Sequence, residues 1–227
     1  MKIACIIVEV ADIYKDHAFS SEVVTQALIS EEVAVIDTFD NWSKVEQWDG
    51  YKGWINNFFL SEIIESDKSP SFSRDMQKYD EITLKSFTSD ELRNKIISYC
   101  KELLGTPYKW GGKSRFGYDC SGLIQMSFKI HGISMPRDSK DQYRVLKKNK
   151  IKLSEAEHGD VLFFKENNRI CHVGMFDKDF RFIHSSGMVK HNSLNEEDDL
   201  FDKKLMDKFA GVFSISGIIK DQLNERK

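Results

Sequence analysis

The chain has 227 residues, of which 41% are hydrophobic and 30% charged, the composition of an ordinary soluble protein with one large domain or two small ones. Its 36 acidic and 33 basic residues leave a net charge of −3 without any basic block, so a nucleic-acid partner is not predicted. No apolar run approaches the roughly 20 residues of a membrane-spanning helix, so a membrane partner is not predicted either.

The N-terminal apolar stretch predicts a strand of the folded protein. Ile3–Val8 is apolar, but Glu9 and Asp12 break it before it reaches the roughly 7–15 residues of a secretory core, and no cleavage-site pattern follows. We therefore expect the protein to lie in the bacterial cytoplasm, where its four scattered cysteines would be free thiols.

Residues 1–62 carry short alternating runs separated by turns, which predicts a small all-β barrel. Asp49-Gly50 is a strong hairpin signal between two of these runs. The predicted strands are Ile3–Val10, Glu32–Asp37, Trp42–Gln47 and Gly53–Asn56.

Residues 63–85 are polar and predict a linker, and residues 86–227 predict an α+β domain. Thr88 and Glu91 stand at capping-box spacing and predict the start of a helix, and a second helix is predicted from Cys120 to His131. The strands predicted to follow are Val161–Phe164, Ile170–Phe176, Phe180–His184 and Gly211–Ile219.

Cys120 differs from the other cysteines, which lie in or beside apolar segments where a thiol packs as a small hydrophobe. It follows a glycine-rich stretch and would begin a helix, where unpaired N–H groups and the helix dipole favour a thiolate and lower the pKa of the thiol. Gly122 leaves room for a substrate, and the Cys120 N–H could stabilise an oxyanion. Cys120 is therefore the predicted nucleophile.

Two histidines predict the rest of a catalytic group. A three-residue loop at Asp177–Asp179 would pair Phe176 with Phe180 and place His172 directly opposite His184, with Cβ atoms roughly 4.5–5.5 Å apart. One ring would act as base and the other would orient it.

The same strand alternation argues against a metal site. Cys171 and His172 are neighbours on a strand and point to opposite faces, so both cannot join Cys120 around a zinc ion. No metal and no cofactor are predicted. The remaining histidines are expected to be ordinary core or surface residues.

Taken together, these residues stand in a series that resembles the NlpC-type cysteine peptidase family, papain-like enzymes that cut bacterial cell-wall peptides. The segments that carry the resemblance are Leu104–Gly112, Gly117–Leu123, Met135–Ser139, Gly159–Phe164, Cys171–Gly174 and Phe182–Ser185. The resemblance implies a papain-like domain, with the cysteine-bearing helix packed on an antiparallel sheet, and a triad of Cys120, His172 and His184. It also implies that Tyr108 lies near the oxyanion. The substrate-groove residues that it implies are Asp119, Ser121, Asp138 and Ser139.

The N-terminal part resembles a bacterial SH3-like domain in Thr25–Leu28, Asn41–Val45 and Asp49–Ile55. An SH3-like domain before such a peptidase resembles the γ-D-glutamyl-L-diamino-acid endopeptidases. The resemblance implies cleavage between D-Glu and diaminopimelate or Lys in stem peptides that begin with a free L-Ala, with Tyr51 at the pocket. Where relatives carry an acidic residue before Thr-Gln-Ala-Leu this chain has Val24, so Glu22, Asp119 or Asp138 is expected to meet the substrate amine.

The sequence thus predicts a cysteine endopeptidase for the turnover or recycling of peptidoglycan stem peptides. Two alternatives stay open: an amidase or acyltransferase on the same fold, and a catalytically silent protein that binds wall peptides. The oligomeric state, the preferred diamino acid and the accepted peptide length are not determined by the sequence.

Overall fold

The computed structural model describes residues 1–67, 69–71 and 87–224. They divide into two units: the first takes the described residues of Met1–Lys78 together with Lys109–Ser114, and the second takes those of Tyr79–Tyr108 and Arg115–Lys227.

The first unit is built on an antiparallel sheet, which confirms the predicted all-β fold. Its strands, in chain order, are β1 (Lys2–Cys5), β2 (Val10–Tyr14), β3 (Val23–Leu28), β4 (Glu32–Phe39), β5 (Trp42–Glu46), β6 (Lys52–Asn56), β7 (Ile64–Glu65) and the short β8 (Lys113–Ser114). The sheet order is β3-β2-β6-β5-β4-β1-β7, and a single 3₁₀ turn covers Asn57–Phe59.

Alternate side chains of these strands fill the core of the first unit. Ala11, Ile13, Val33, Val45 and Ile55 are all buried, as period-two patterning requires when one face of a strand packs inward. The Asp49-Gly50 turn joins β5 to β6 as predicted, with Gly50 at φ 77°.

Two predictions for the N-terminal part concern the strand Ile3–Val10 and the linker 63–85. Ile3–Val10 is not one strand, because the chain bends at Val8 and Glu9 and starts β2 at Val10. Of the predicted linker 63–85, Ile64–Glu65 forms β7 and pairs with β1, whereas Lys68 and residues 72–86 lie outside the described residues. The domain boundaries at 62 and 85 stay predictions.

Ion pairs and a hydrogen bond join the segment Lys109–Ser114 to the N-terminal strands of the first unit. Lys109 Nζ lies 2.7 Å from Asp12 Oδ1, and Lys113 N–H donates to Gln26 Oε1 at 3.0 Å. The Lys113 ammonium and the Glu31 carboxylate are both fully buried, 3.7 Å apart. Burial raises the pKa of Glu31, and the charge of Lys113 opposes that rise.

The second unit has helices around an antiparallel sheet, which confirms the predicted α+β class. Its helices are α1 (Ser89–Glu102), α2 (Cys120–Lys129), α3 (Ser139–Leu146), α4 (Lys203–Lys208) and α5 (Ser216–Asn224). Its strands are β9 (Gly117–Tyr118), β10 (Lys150–Ile151), β11 (Val161–Glu166), β12 (Arg169–Phe176), β13 (Arg181–Ser186), β14 (Met188–Ser193) and β15 (Phe209–Phe213). The sheet order is β10-β15-β11-β12-β13-β14, and 3₁₀ turns cover Lys147–Asn149 and Leu153–Glu155.

Local sequence signals explain where the helices begin. Thr88 caps α1 with the complete capping box, since its Oγ1 accepts from Glu91 N–H and its own N–H donates to the Glu91 carboxylate. Asp119 caps α2 by accepting from Gly122 N–H at 2.6 Å. The predicted strand Gly211–Ile219 is wrong beyond Phe213, where the chain turns and forms α5; a short apolar run does not distinguish the two outcomes.

Candidate active site

The hairpin that carries the two histidines has a different register from the predicted one. The structure pairs Met175 with Ile183 and Phe176 with Phe182, so His172 is not directly opposite His184. The loop is longer because Asp179 and Phe180 both adopt left-handed φ values, 51° and 62°. The offset is an even number of residues, so both histidines stay on one face and become diagonal neighbours.

The diagonal placement still brings the rings together. His172 Nε2 lies 2.7 Å from His184 Nδ1, and the ring planes meet at 85°. Gly174 permits this close approach, because a Cβ there would lie 2.9 Å from Phe182 Cδ2 and 3.3 Å from His184 Cβ. The predicted base-and-orienter contact is therefore present, through a geometry that the sequence did not predict.

Both histidines are uncharged near neutral pH. Burial, with the neighbouring His184 next in effect, lowers the pKa of His172 to about 3. Burial likewise lowers the pKa of His184 to about 4, although the hydrogen bond with Asn192 opposes that shift. A neutral His172 has a nitrogen lone pair and can accept a proton.

Cys120 stands at the first position of α2, half-buried, where its sulfur meets the backbone N–H groups of Ser121 and Val173. Those amides favour the thiolate, but burial and the Asp119 carboxylate outweigh them and raise the pKa of Cys120 to about 12. The predicted lowering of this pKa is therefore wrong, because desolvation exceeds the effect of the helix N-terminus. The resting pair is a neutral thiol and a neutral imidazole.

The cysteines are expected to differ in their rates of alkylation. Iodoacetamide should modify exposed Cys171 before Cys120, and the rate at Cys120 should rise about tenfold per pH unit through pH 9, because only the thiolate reacts. Mass-spectrometric mapping of the modified peptides measures this. Buried Cys100 serves as the control that reacts only on unfolding. A Cys120 rate that is highest and flat between pH 6 and 8 would contradict the neutral pair.

A buried ion pair fixes the start of α2. Both carboxylate oxygens of Asp119 accept from the Arg137 guanidinium, at 3.0 and 2.6 Å, and the guanidinium also donates to Ser121 Oγ at 3.0 Å. Arg137 is 3% exposed. The sequence predicts that Asp119 and Ser121 line the substrate groove, and that role stays a prediction. The structure places both in a polar cluster with Arg137, called the clamp below.

Two residues of the clamp were missed by sequence reasoning. Arg137 lies within Met135–Ser139, one of the segments that carry the family resemblance, but that segment does not indicate a role for Arg137. Gln142, on α3, is fully buried and donates to the carbonyls of Ser121 and Pro136 at 2.9 and 2.8 Å. Nothing in the sequence pattern distinguishes it from an ordinary helix residue.

Arg137→Leu is expected to lower the free energy of unfolding by about 3–5 kcal/mol, because it leaves the Asp119 carboxylate buried without its partner. Urea unfolding measures the loss. The double variant Asp119→Asn, Arg137→Leu removes both charges and should recover a large part of it. A double variant no more stable than the single one would contradict the clamp.

Tyr108 lies close enough to Cys120 for an ionised Cys120 to act on its pKa. Burial, the Cys120 thiolate once it forms and the Asp119 carboxylate raise the pKa of Tyr108 to about 12, so its hydroxyl stays protonated and can donate a hydrogen bond. Its backbone N–H is held by the Gly187 carbonyl at 2.9 Å.

Asp138 and Ser139 form the start of α3. Asp138 occupies the N-cap position without a side-chain capping bond, and its carboxylate lies 3.4 Å from Lys140 Nζ. Ser139 is the first residue of the helix. Their predicted role in the substrate groove stays a prediction.

The remaining predicted residues belong to the first unit. Tyr51 is half-buried after the Gly50 turn, and its N–H donates to Asp49 Oδ1 at 3.0 Å. The Glu22 carboxylate accepts from Trp110 Nε1 at 3.1 Å and lies 3.6 Å from Lys15 Nζ. Val24 packs against the apolar core of the unit. The roles of Tyr51 and Glu22 in substrate binding stay predictions.

Cys171 is exposed and His172 is not, in agreement with the predicted alternation along β12.

Over residues 1–67, 69–71 and 87–224, no group of three or more His, Cys, Asp or Glu side chains is placed to hold a metal ion. Within the same ranges, no helix combines the length and the apolar character needed to span a membrane.

Two models of known protein families match separate parts of the chain. Residues 105–207 match the NlpC/P60 family, and residues 9–61 match the bacterial SH3 domain. The chain therefore contains an NlpC/P60 domain behind a bacterial SH3 domain, and the candidate site lies in the former.

Individual relatives refine that class. The chain is 28% identical to the gamma-D-glutamyl-L-lysine dipeptidyl-peptidase of Bacillus cereus, over 73% of this chain and 68% of that protein. It is 38% identical to the protein of the same name in Bacillus subtilis, but over only 48% of this chain and 38% of that one. A solved NlpC/P60 family protein from Bacillus cereus covers 92% of this chain and 98% of its own, with a TM-score of 0.72 at 20% identity, which shows a shared fold. These comparisons support a peptidase that acts on peptidoglycan peptides.

Proposed function

We propose that the protein is a cysteine peptidase that hydrolyses the bond between γ-D-glutamate and an L-diamino acid, diaminopimelate or Lys, in cell-wall stem peptides. The observation that carries the proposal is the 2.7 Å contact between His172 and His184 on the sheet against which the Cys120 helix packs. A nucleophile at a helix start, a neutral base and a third group that orients the base together form the constellation needed for acyl transfer.

The first half of the reaction moves one proton and forms one bond. The Cys120 thiol gives its proton to the unprotonated ring nitrogen of His172 while the sulfur attacks the γ-carbonyl carbon of D-Glu. The carbonyl electron pair moves to oxygen. The Cys120 N–H, which has no intrahelical partner, and the protonated Tyr108 hydroxyl stabilise that oxyanion.

The second half releases the two products. The His172 imidazolium gives its proton to the amino nitrogen of the diamino acid as the C–N bond breaks, leaving a thioester on Cys120. Water then gives a proton to His172 as its oxygen attacks the thioester. The C–S bond then breaks, the product leaves with its γ-carboxyl group restored, and His172 returns that proton to the sulfur to re-form the thiol.

The finer specificity of the proposal is a stem peptide that begins with a free L-Ala, so that L-Ala-D-Glu is released in the cytoplasm during peptide turnover or recycling. The names of the two Bacillus relatives support γ-D-glutamyl-L-lysine cleavage and the release of a dipeptide. A buried ammonium needs a carboxylate partner. The candidates are Asp119, Asp138 and Glu22. Asp119 already pairs with Arg137, and Glu22 already contacts Trp110 and Lys15.

A digestion panel tests the proposal. L-Ala-γ-D-Glu-diaminopimelate, the matching L-Lys peptide and the N-acetylated form of each are incubated with the protein, and products are identified by mass spectrometry. We expect L-Ala-D-Glu from the free peptides and at least tenfold slower cleavage of the acetylated ones. No cleavage of any peptide would overturn the peptidase, and equal cleavage would overturn only the free-amine requirement.

The same panel separates the alternatives. A transferase gives a product heavier than the hydrolysis fragment when an amine acceptor is added. A silent binding protein gives no product, although it still retains the peptide in equilibrium dialysis.

A further inference from the structure

Asn192, on β14, connects the histidine pair to a neighbouring backbone carbonyl. His184 Nε2 lies 2.8 Å from Asn192 Oδ1, and Asn192 Nδ2 donates to the Leu200 carbonyl at 3.0 Å. Together with the contact between His184 and His172, these bonds form a chain of polar contacts that runs Leu200, Asn192, His184, His172.

The Leu200 carbonyl determines which way the Asn192 amide faces. A carbonyl oxygen only accepts hydrogen bonds, so the NH₂ end of the amide must face Leu200 and the oxygen end must face His184. The amide oxygen also only accepts, so His184 must carry its proton on Nε2. With the proton on Nδ1 instead, two acceptors would stand 2.8 Å apart; flipping the amide would create the same conflict at Leu200.

The proton position on His184 fixes the proton position on His172. A neutral His184 protonated on Nε2 has an unprotonated Nδ1, which accepts from His172 Nε2–H at 2.7 Å. A neutral His172 protonated on Nε2 has its lone pair on Nδ1. That nitrogen is the one left to accept the Cys120 proton.

We propose that Asn192 is a positioning residue that sets the tautomer of both histidines and thereby keeps His172 Nδ1 unprotonated for the nucleophile. The proposal rests on the catalytic roles given above to Cys120 and His172. It assigns Asn192 no contact with the substrate.

Charged groups also surround the pair and enter its titration. The charges that act on the two rings come from β14, from the N-cap of α4 and from α4 itself: Lys190 and His191, Asp202, and Lys208. A substitution at Asn192 leaves all four in place, so changes in the titration of the pair can be assigned to the amide.

The first test observes the tautomers without any activity measurement. In protein labelled with ¹⁵N-histidine, two-bond ¹H–¹⁵N spectra at neutral pH distinguish the protonated ring nitrogen from the bare one; His172→Gln and His184→Gln variants assign the signals. We expect protonated Nε2 on both rings in the wild type and a mixture of tautomers in Asn192→Leu. Protonated Nδ1 on His184 in the wild type, or an unchanged tautomer in Asn192→Leu, would overturn the proposal. Because no substrate is present, a failed peptidase proposal does not affect this result.

The second test is kinetic and uses a matched control. Asn192→Leu should lower kcat with little change in KM, by about 10- to 100-fold, as loss of a group that fixes a histidine tautomer does elsewhere. Asn195→Leu removes a nearby amide from the 193–202 segment, one whose Oδ1 accepts from Glu197 N–H, and should stay within about twofold of wild type. Equal losses in the two variants would assign the effect to that segment and overturn the role of the Asn192 amide.

Asn192→Asp distinguishes positioning from simple packing. Its carboxylate still accepts from His184 Nε2–H, although its second oxygen can no longer donate to the Leu200 carbonyl, so activity should lie between those of Asn192→Leu and the wild type. Its negative charge stabilises a protonated ring, so the acid limb of the kcat profile should move to higher pH. An acid limb that stays at the wild-type pH would contradict the proposed contact.

Discussion

Cys120→Ala is expected to lower kcat/KM toward L-Ala-γ-D-Glu-diaminopimelate by about 10⁴-fold or more, because the bond-forming sulfur is lost and nothing replaces it. The free energy of unfolding should change little. The native thiol is uncharged, with a pKa of about 12, so its removal leaves no buried charge without a partner. Hydrolysis rates and urea unfolding of the same preparation measure the two effects.

The matched control for this variant is Cys171→Ala, which removes a thiol from the exposed face of the strand that carries His172. It should retain wild-type kcat/KM. Comparable activity in Cys120→Ala and wild type would refute the nucleophile. Inactivity in both Cys120→Ala and wild type, with the peptide still bound, would instead support a silent wall-peptide receptor.

His172→Gln and His184→Gln are expected to differ in severity. Loss of the base should lower kcat by about 10³-fold or more, whereas glutamine at 184 can still accept from His172 Nε2–H through its amide oxygen and should cost about 10- to 100-fold. The ranking follows from the proposed mechanism, in which His172 exchanges a proton with the reacting groups and His184 orients His172.

The pH profile of the wild type provides a second check on the base. His172 must be unprotonated to accept the thiol proton, and burial lowers its pKa to about 3. Its protonation therefore limits activity only far below the ordinary histidine pKa of about 6.5. An acid limb centred near pH 6.5 would contradict this low pKa. The control for the assignment of the base is His158→Gln, in the same unit; if it loses as much activity as His172→Gln, the assignment of His172 is contradicted.

The sequence indicated where the candidate nucleophile lies, at the start of a helix, and the reason is local. Asp119-Cys120-Ser121-Gly122 combines a helix cap, a nucleophile and a small residue within four positions, and short-range patterns of this kind reveal helix starts. The face shared by His172 and His184 was also predicted correctly, because the assumed and the observed pairing differ by an even number of residues, and such a shift leaves side chains on the same face.

The details that failed depend on contacts that no local pattern encodes. The hairpin register was wrong because Asp179 and Phe180 adopt left-handed conformations that a three-residue loop does not need. The pKa of Cys120 moved opposite to expectation, because the helix N-terminus is visible in the sequence but the extent of burial is not. The bond between Asn192 and Leu200 joins a strand to the segment after it, and neither residue belongs to a recognisable motif.

The placement of Lys109–Ser114 restricts how these domains can be exchanged between proteins. The segment lies inside the NlpC/P60 match at 105–207, yet its charged side chains find their partners, Asp12 and Glu31, in the N-terminal part of the chain. A chimera that replaces residues 1–62 alone would leave the Lys113 ammonium buried without the Glu31 carboxylate. One that replaces residues 86–227 alone would leave the Glu31 carboxylate buried without Lys113. Recombination at a single linker therefore breaks a buried pair in both products, so Glu31 and Lys113 must be inherited together or lost together.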